Sequence, residues 1–250
     1  MPIWFVKKGG WLNKENIKYF AQYVEFVVKN LPEVRFWITL NEPYIYSFFV
    51  FSQGKWPPFK KSIFKTIKVL KSLIVAHKKA YQIIHKISPN SQVGIAVFHI
   101  FFSGILSLIK YFRNFYFLNK IKNHQDFIGV NYYRHHSLSG VIKSHHKNKT
   151  DMGWEICPEG IYHVLKDLKK YNKPIYITEN GLADANDSRR TDFIKNHLKW
   201  IHKAIEEGVD VRGYFHWALI DFFEWAWGFK PRFGLVEIDY KTLKRKPRPS

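Results

Sequence analysis

Residues 34–43 read Val34-Arg35-Phe36-Trp37-Ile38-Thr39-Leu40-Asn41-Glu42-Pro43. β-Branched and aromatic side chains dominate the first six, which predicts a short buried strand over 34–39. Asn41-Glu42-Pro43 ends it, since proline donates nothing to a strand ladder. Upstream, Asn13 suits a helix N-cap, and Ile17, Phe20, Ala21, Val24, Val27 and Val28 recur at helical spacing, predicting a helix over 14–30. Downstream, a loop with Gly54, Pro57 and Pro58 leads into an expected helix over 62–87. Ile63, Ile67, Leu70, Ile74, Tyr81 and Ile84 face inward there, and Pro89-Asn90 stops it.

The alternation continues to the end. Strands are expected over 93–98, 127–131, 174–178 and 211–216, and helices over 104–122, 160–171 and 188–207, with a long polar loop before 159. A hairpin is expected around 235–239, followed by a solvated basic tail over 241–250. Five strands alternating with helices imply parallel βαβ units in one domain over 1–250. An open α/β sheet and a segment of a barrel both fit.

The chain has 250 residues, of which 46% are apolar and 18% aromatic, enough for a sizeable core and too many for a disordered chain. That length is also typical of a whole (β/α)8 barrel. The net charge is +20, from 31 Lys and 9 Arg against 20 acidic residues. Nucleic-acid recognition favours clustered arginine on a recognisable fold. The lysine bias reads instead as a solvated surface, so no nucleic-acid partner is expected. A single cysteine, Cys157, excludes an intramolecular disulfide and suits a reducing compartment. With no basic segment leading into an apolar one at the start, a cytoplasmic protein is expected. The most apolar stretch, 95–109, is short for a membrane span and is interrupted by His99, Ser103 and Gly104, so no membrane partner is expected. His135-His136 and His145-His146 match no zinc spacing and read as loop histidines, with no metal and no cofactor. The basic, aromatic segment 106–117 reads as part of a helix rather than a membrane-surface element.

In α/β folds, functional side chains gather at the C-terminal ends of strands. Here those ends carry Asn41-Glu42, Asn131-Tyr132-Tyr133, Glu179-Asn180 and His216-Trp217. Two carboxylates at matching positions, with amides and aromatics beside them, form a glycosidase-like inventory. One carboxyl can protonate a leaving oxygen while the other attacks or activates water.

Trp37-Ile38-Thr39-Leu40-Asn41-Glu42-Pro43 resembles the acid/base signature of glycoside hydrolase family 1, the β-glucosidase and β-galactosidase family. Ile177-Thr178-Glu179-Asn180-Gly181 resembles its nucleophile signature. Gly129-Val130-Asn131-Tyr132-Tyr133 and Asp151-Met152-Gly153-Trp154-Glu155 resemble further motifs, as does the run from Gly213 to Trp225 and then Arg232-Phe233-Gly234-Leu235-Val236. The motifs occur in family order across nearly the whole chain.

The resemblance implies a retaining β-glycosidase, with Glu42 as general acid/base and Glu179 as nucleophile. It implies that Asn41 binds the sugar 2-hydroxyl, that Tyr133 hydrogen-bonds Glu179 and that Asn131 lends support nearby. Trp217 would form the sugar platform, and Glu224 and Trp225 would hold hydroxyls. A carboxylate at 224 repels phosphate, which favours non-phosphorylated β-glycosides. The implied fold is an incomplete TIM-type (β/α)8 barrel whose five strands correspond to strands 4–8. Family members begin with three further strands, carrying a Gln, a His and an Arg of the site that have no counterpart here. Ala218 and Phe222 stand where the family usually has Ser and Asn. Missing strands would leave open edges: either the sequence is a fragment of a longer gene, or a homo-oligomer or a complementary N-terminal chain is the expected partner. The alternative is a non-catalytic or weakly active carbohydrate-binding or assembly protein derived from such a barrel.

Overall fold

The computed structural model describes residues 1–104, 109–136 and 149–250. His145-His146 and the first residues of the segment 106–117 lie outside them. Five strands make one parallel sheet in chain order: β1 (Phe36–Asn41), β2 (Gln92–Phe102), β3 (Phe127–His136), β4 (Ile175–Asn180) and β5 (Val211–His216). An antiparallel pair follows, β6 (Val236–Ile238) with β7 (Arg245–Pro247). The chain divides into two compact units. The first holds Met1–Phe98 and Phe115–Gly129, and the second holds His99–Asn114 and Val130–Ser250.

In the first unit, the Asn13 side chain accepts from the Glu15 N–H at 3.1 Å and starts a short turn that runs into the helix Ile17–Asn30. Ile17, Ala21, Val24 and Val28 form its buried stripe, as expected, while Phe20 and Val27 are half-buried. The long helix Ile63–Ile87 begins at Ser62, whose hydroxyl accepts from the Lys65 N–H. Val24 and Val28 pack on its Ala80 and Ile84 together with Val93 of β2. Ile63, expected inward, is exposed, because it is the first helical residue and the buried face begins only at Thr66.

β1 corrects the opening expectation. It is not buried: Phe36 is 54% and Ile38 45% exposed. Their side chains alternate with half-buried Trp37 and Thr39, the pattern of an edge strand with one covered face. β2 is its partner, pairing Phe36 with Gln92 and Asn41 with Ala96. The Thr39 hydroxyl lies 2.6 Å from His77 Nδ1, and His77 Nε2 lies 2.6 Å from the His124 carbonyl. A carbonyl only accepts, so the ring proton sits on Nε2 and Nδ1 accepts from Thr39. That relay ties β1 to the long helix.

In the second unit, the helices Glu159–Leu168 and Arg190–Glu206 pack together, and β4 pairs with β5. β5 matches its expected limits, while β2 and β3 run well beyond theirs. Ile100 inside β2 exchanges hydrogen bonds with the buried Asn114 amide, which supports the longer strand. Over 104–122, the described helical residues are a wide turn, Tyr111–Phe115, and the helix Tyr116–Ile121. Residues 241–247 are exposed, as a solvated tail would be, yet they carry ordered contacts. β7 pairs with β6, and the Arg248 guanidinium is drawn inward onto Asp221. His135-His136, expected in a solvated loop, close β3 and are half-buried. No described helix is long and apolar enough to cross a membrane.

Candidate active site

In the first unit, Asn41 is the exposed last residue of β1, and Glu42 follows it. The Glu42 N–H donates to the Ala96 carbonyl at 2.8 Å, and the Glu42 carbonyl accepts from the Tyr46 N–H at 3.0 Å. Glu42 therefore joins a strand to the helix Pro43–Ser47, with Pro43 at the first helical position, where its missing N–H costs nothing. The junction gives Glu42 a left-handed backbone, φ 48° and ψ 53°. For a non-glycine residue this costs on the order of 1–2 kcal/mol, a kind of local strain concentrated at functional positions.

The other six predicted residues lie in the second unit. Glu179 stands at the end of β4, and its Oε2 accepts a 2.7 Å hydrogen bond from the Tyr133 hydroxyl on β3. Asn131, fully buried two residues before Tyr133, accepts from the Thr178 hydroxyl at 2.6 Å. Asn131 and Tyr133 share one face of β3; the first ties the residue before Glu179 and the second ties Glu179 itself.

Asn180 is a positioning residue that the sequence reading did not single out, although it sits inside a quoted motif. It is fully buried; its amide donates to the Tyr132 carbonyl at 2.7 Å and accepts from the Tyr214 hydroxyl at 3.0 Å. Its carbonyl accepts from the Trp217 N–H at 3.0 Å. Gly181 follows for a steric reason: a Cβ there would collide with the Trp217 carbonyl. These contacts fix where Trp217 leaves β5.

Trp217 is half-buried and meets Phe222 edge-on at 5.1 Å, and Phe222 stacks on Phe233. Phe233 in turn touches Tyr133 and Trp154. The Phe at 222 thus completes an aromatic wall. Glu224 is half-buried, and burial first, then the Glu179 charge, pushes its carboxyl up to about 7. Trp225 is 62% exposed, with a left-handed backbone at φ 44°. An exposed aromatic face beside carboxyl groups suits a sugar ring, whose C–H face stacks while its hydroxyls bond.

Below this loop lies a buried ion cluster that the sequence reading missed. Asp221 is fully buried and accepts from Arg248 at 3.0 Å, Arg232 at 3.2 Å and the Gly234 N–H at 2.9 Å. Asp221 lay within a quoted motif, but Arg248 carried no local signal. Among the described residues, no group of three or more His, Cys, Asp or Glu is gathered as a metal ion would need.

The family model for glycosyl hydrolase family 1 matches residues 1–101 and 114–250. Beta-glucosidase A of Thermotoga maritima is 33% identical, the alignment covering 98% of this chain and 68% of that protein. The 1,4-beta-D-glucan glucohydrolase of Thermotoga neapolitana is 31% identical, over 98% of this chain and 71% of that one. Among solved structures, a beta-glycosidase from Pyrococcus horikoshii superposes with TM-score 0.91 at 39% identity, covering all of this chain and 66% of its own. The chain thus spans about two thirds of the length of these relatives. The fold is accordingly an incomplete (β/α)8 barrel. With the motifs in order, the Tyr133–Glu179 bond formed and the model matched over almost every residue, the chain belongs to glycosyl hydrolase family 1.

Proposed function

We propose that the chain acts as a retaining β-glycosidase on non-phosphorylated β-glucosides or β-galactosides. Glu179 attacks the anomeric carbon, while Glu42 protonates the leaving oxygen and then activates water. This is the two-carboxylate double displacement. The observation that carries the reading is the 2.7 Å bond from Tyr133 to Glu179. A nucleophile must stay ionised and aimed, and a hydroxyl donating to the carboxylate favours both. Asn41 holds the 2-hydroxyl, Trp217 and Trp225 offer ring faces, and Glu224 takes further hydroxyls. A phosphate at Glu224 would meet a carboxyl already close to Glu179, which disfavours phosphorylated sugars.

β1 and β5 each have one neighbour among the described strands. We read these edges as completed by further strands, from a longer form of this chain, a second copy or a complementary chain. The test is hydrolysis of aryl β-glucoside and β-galactoside by chromatographically sized fractions, beside Glu179→Ala. The expected result is turnover with retained anomeric configuration in an assembled fraction, and at least about a thousandfold loss in Glu179→Ala. Equal rates in the two proteins would leave a carbohydrate-binding or assembly role instead.

A further inference from the structure

The second unit holds another set of groups with the geometry of a nucleophile and its base. Ser103 directly follows β2, His135 lies near the end of β3, and Glu155 lies in the loop before the helix Glu159–Leu168. Ser103 Oγ is 2.9 Å from His135 Nε2, and His135 Nδ1 is 3.3 Å from Glu155 Oε2. An ionised carboxylate only accepts, so the ring proton sits on Nδ1, which donates to Glu155. Nε2 is then left to accept from the Ser103 hydroxyl, the tautomer a general base requires.

The arrangement is held in place. The His135 side chain is 9% exposed and that of Glu155 13%. Phe101 stacks on the imidazole with centroids 5.0 Å apart, and His163 stacks on Phe101 at 4.6 Å. The Ser103 N–H donates to the His136 carbonyl at 3.1 Å, which fixes the serine backbone. The serine itself is half-buried. Gly104, the next residue, is exposed, with φ +61° and, among the described residues, nothing within 4 Å of where a Cβ would stand. A serine just past a strand end, within reach of a base that a carboxylate in turn orients, satisfies the geometric test for an activated nucleophile.

We propose that Ser103, His135 and Glu155 form a second hydrolytic site that takes short-chain carboxylic esters. Ser103 Oγ bonds to the ester carbonyl carbon as its proton passes to His135 Nε2. The tetrahedral adduct collapses, the bond to the leaving oxygen breaks with its electron pair, and that oxygen takes the proton from Nε2. Water then attacks acyl-Ser103 by the same relay, releasing the carboxylic acid and restoring the hydroxyl. Glu155 is the positioning residue that holds the ring and its tautomer.

The test uses p-nitrophenyl acetate as substrate and a fluorophosphonate as covalent probe on the full chain, with peptide mapping by mass spectrometry. The expected results are a single adduct on Ser103 and at least about a tenfold loss of nitrophenol release in Ser103→Ala and His135→Asn. Glu155→Gln should slow labelling, and Glu155→Asp should recover part of it. An unlabelled Ser103 in the parent protein would overturn the proposal, whatever the variants do. So would equal release by the parent and a folded Ser103→Ala, leaving these groups as a structural hydrogen-bond chain.

Discussion

Glu224 shows how one residue's surroundings set its chemistry. An ordinary glutamate, as in the unfolded chain, releases its proton near 4.5, whereas the folded Glu224 keeps it up to about 7 because of burial and the neighbouring Glu179 charge. The unfolded chain therefore binds fewer protons between those values. The associated stability is full below about 4.5 and is lost as the pH rises through about 7. Glu224→Gln cannot ionise and should escape this loss. We expect its melting temperature to exceed the parent's at pH 8, with the gap closing towards pH 4.5, as read by calorimetry. A bound sugar would meet a carboxyl that can donate at mildly acidic pH and only accept above it.

At the scale of elements, the turn after β4 depends on close backbone approach. Gly181→Ala puts a methyl group against the Trp217 carbonyl, and neither backbone can yield without breaking the Asn180–Trp217 bond. The expected cost is about 1–3 kcal/mol, read as a lower unfolding midpoint together with lost glycosidase turnover. This turn was largely legible in the sequence, because its residues sit in consecutive motifs and its constraint is local. β1 was legible as a strand but not in its burial. Side-chain type says that Phe36 and Ile38 prefer a pleated surface, but only the spatial neighbours decide whether that surface is covered. The same limit hid His135: two adjacent histidines read as a polar loop until Phe101 and Glu155 were seen to pack against them.

Across the whole molecule, buried histidines give both units a common acid sensitivity. His77 in the first unit, and His197 and His216 in the second, are each pushed down to about 4, with burial the leading cause. In the unfolded chain they would accept protons near 6.5. Their contribution is therefore full above about 6.5 and is lost as the pH falls through about 4. Urea midpoints should fall steeply between pH 6.5 and 4, opposite in sign to the Glu224 effect, and a flat profile there would contradict the three neutral rings. The order of strands and helices was readable along the chain because βα alternation is a local pattern. Asp221 with Arg232 and Arg248 was not, since ion pairing over a long sequence separation leaves no periodic trace.

The Asp221 cluster makes Arg248 count as much as the motifs. Replacing Arg248 would leave Glu42, Glu179 and every signature segment intact, so motif scanning would pass such a variant unmarked. It would carry a buried carboxylate stripped of one cation beneath the loop that presents Glu224 and Trp225. A single distant arginine can therefore unsettle that loop without any change to the residues proposed to meet the sugar.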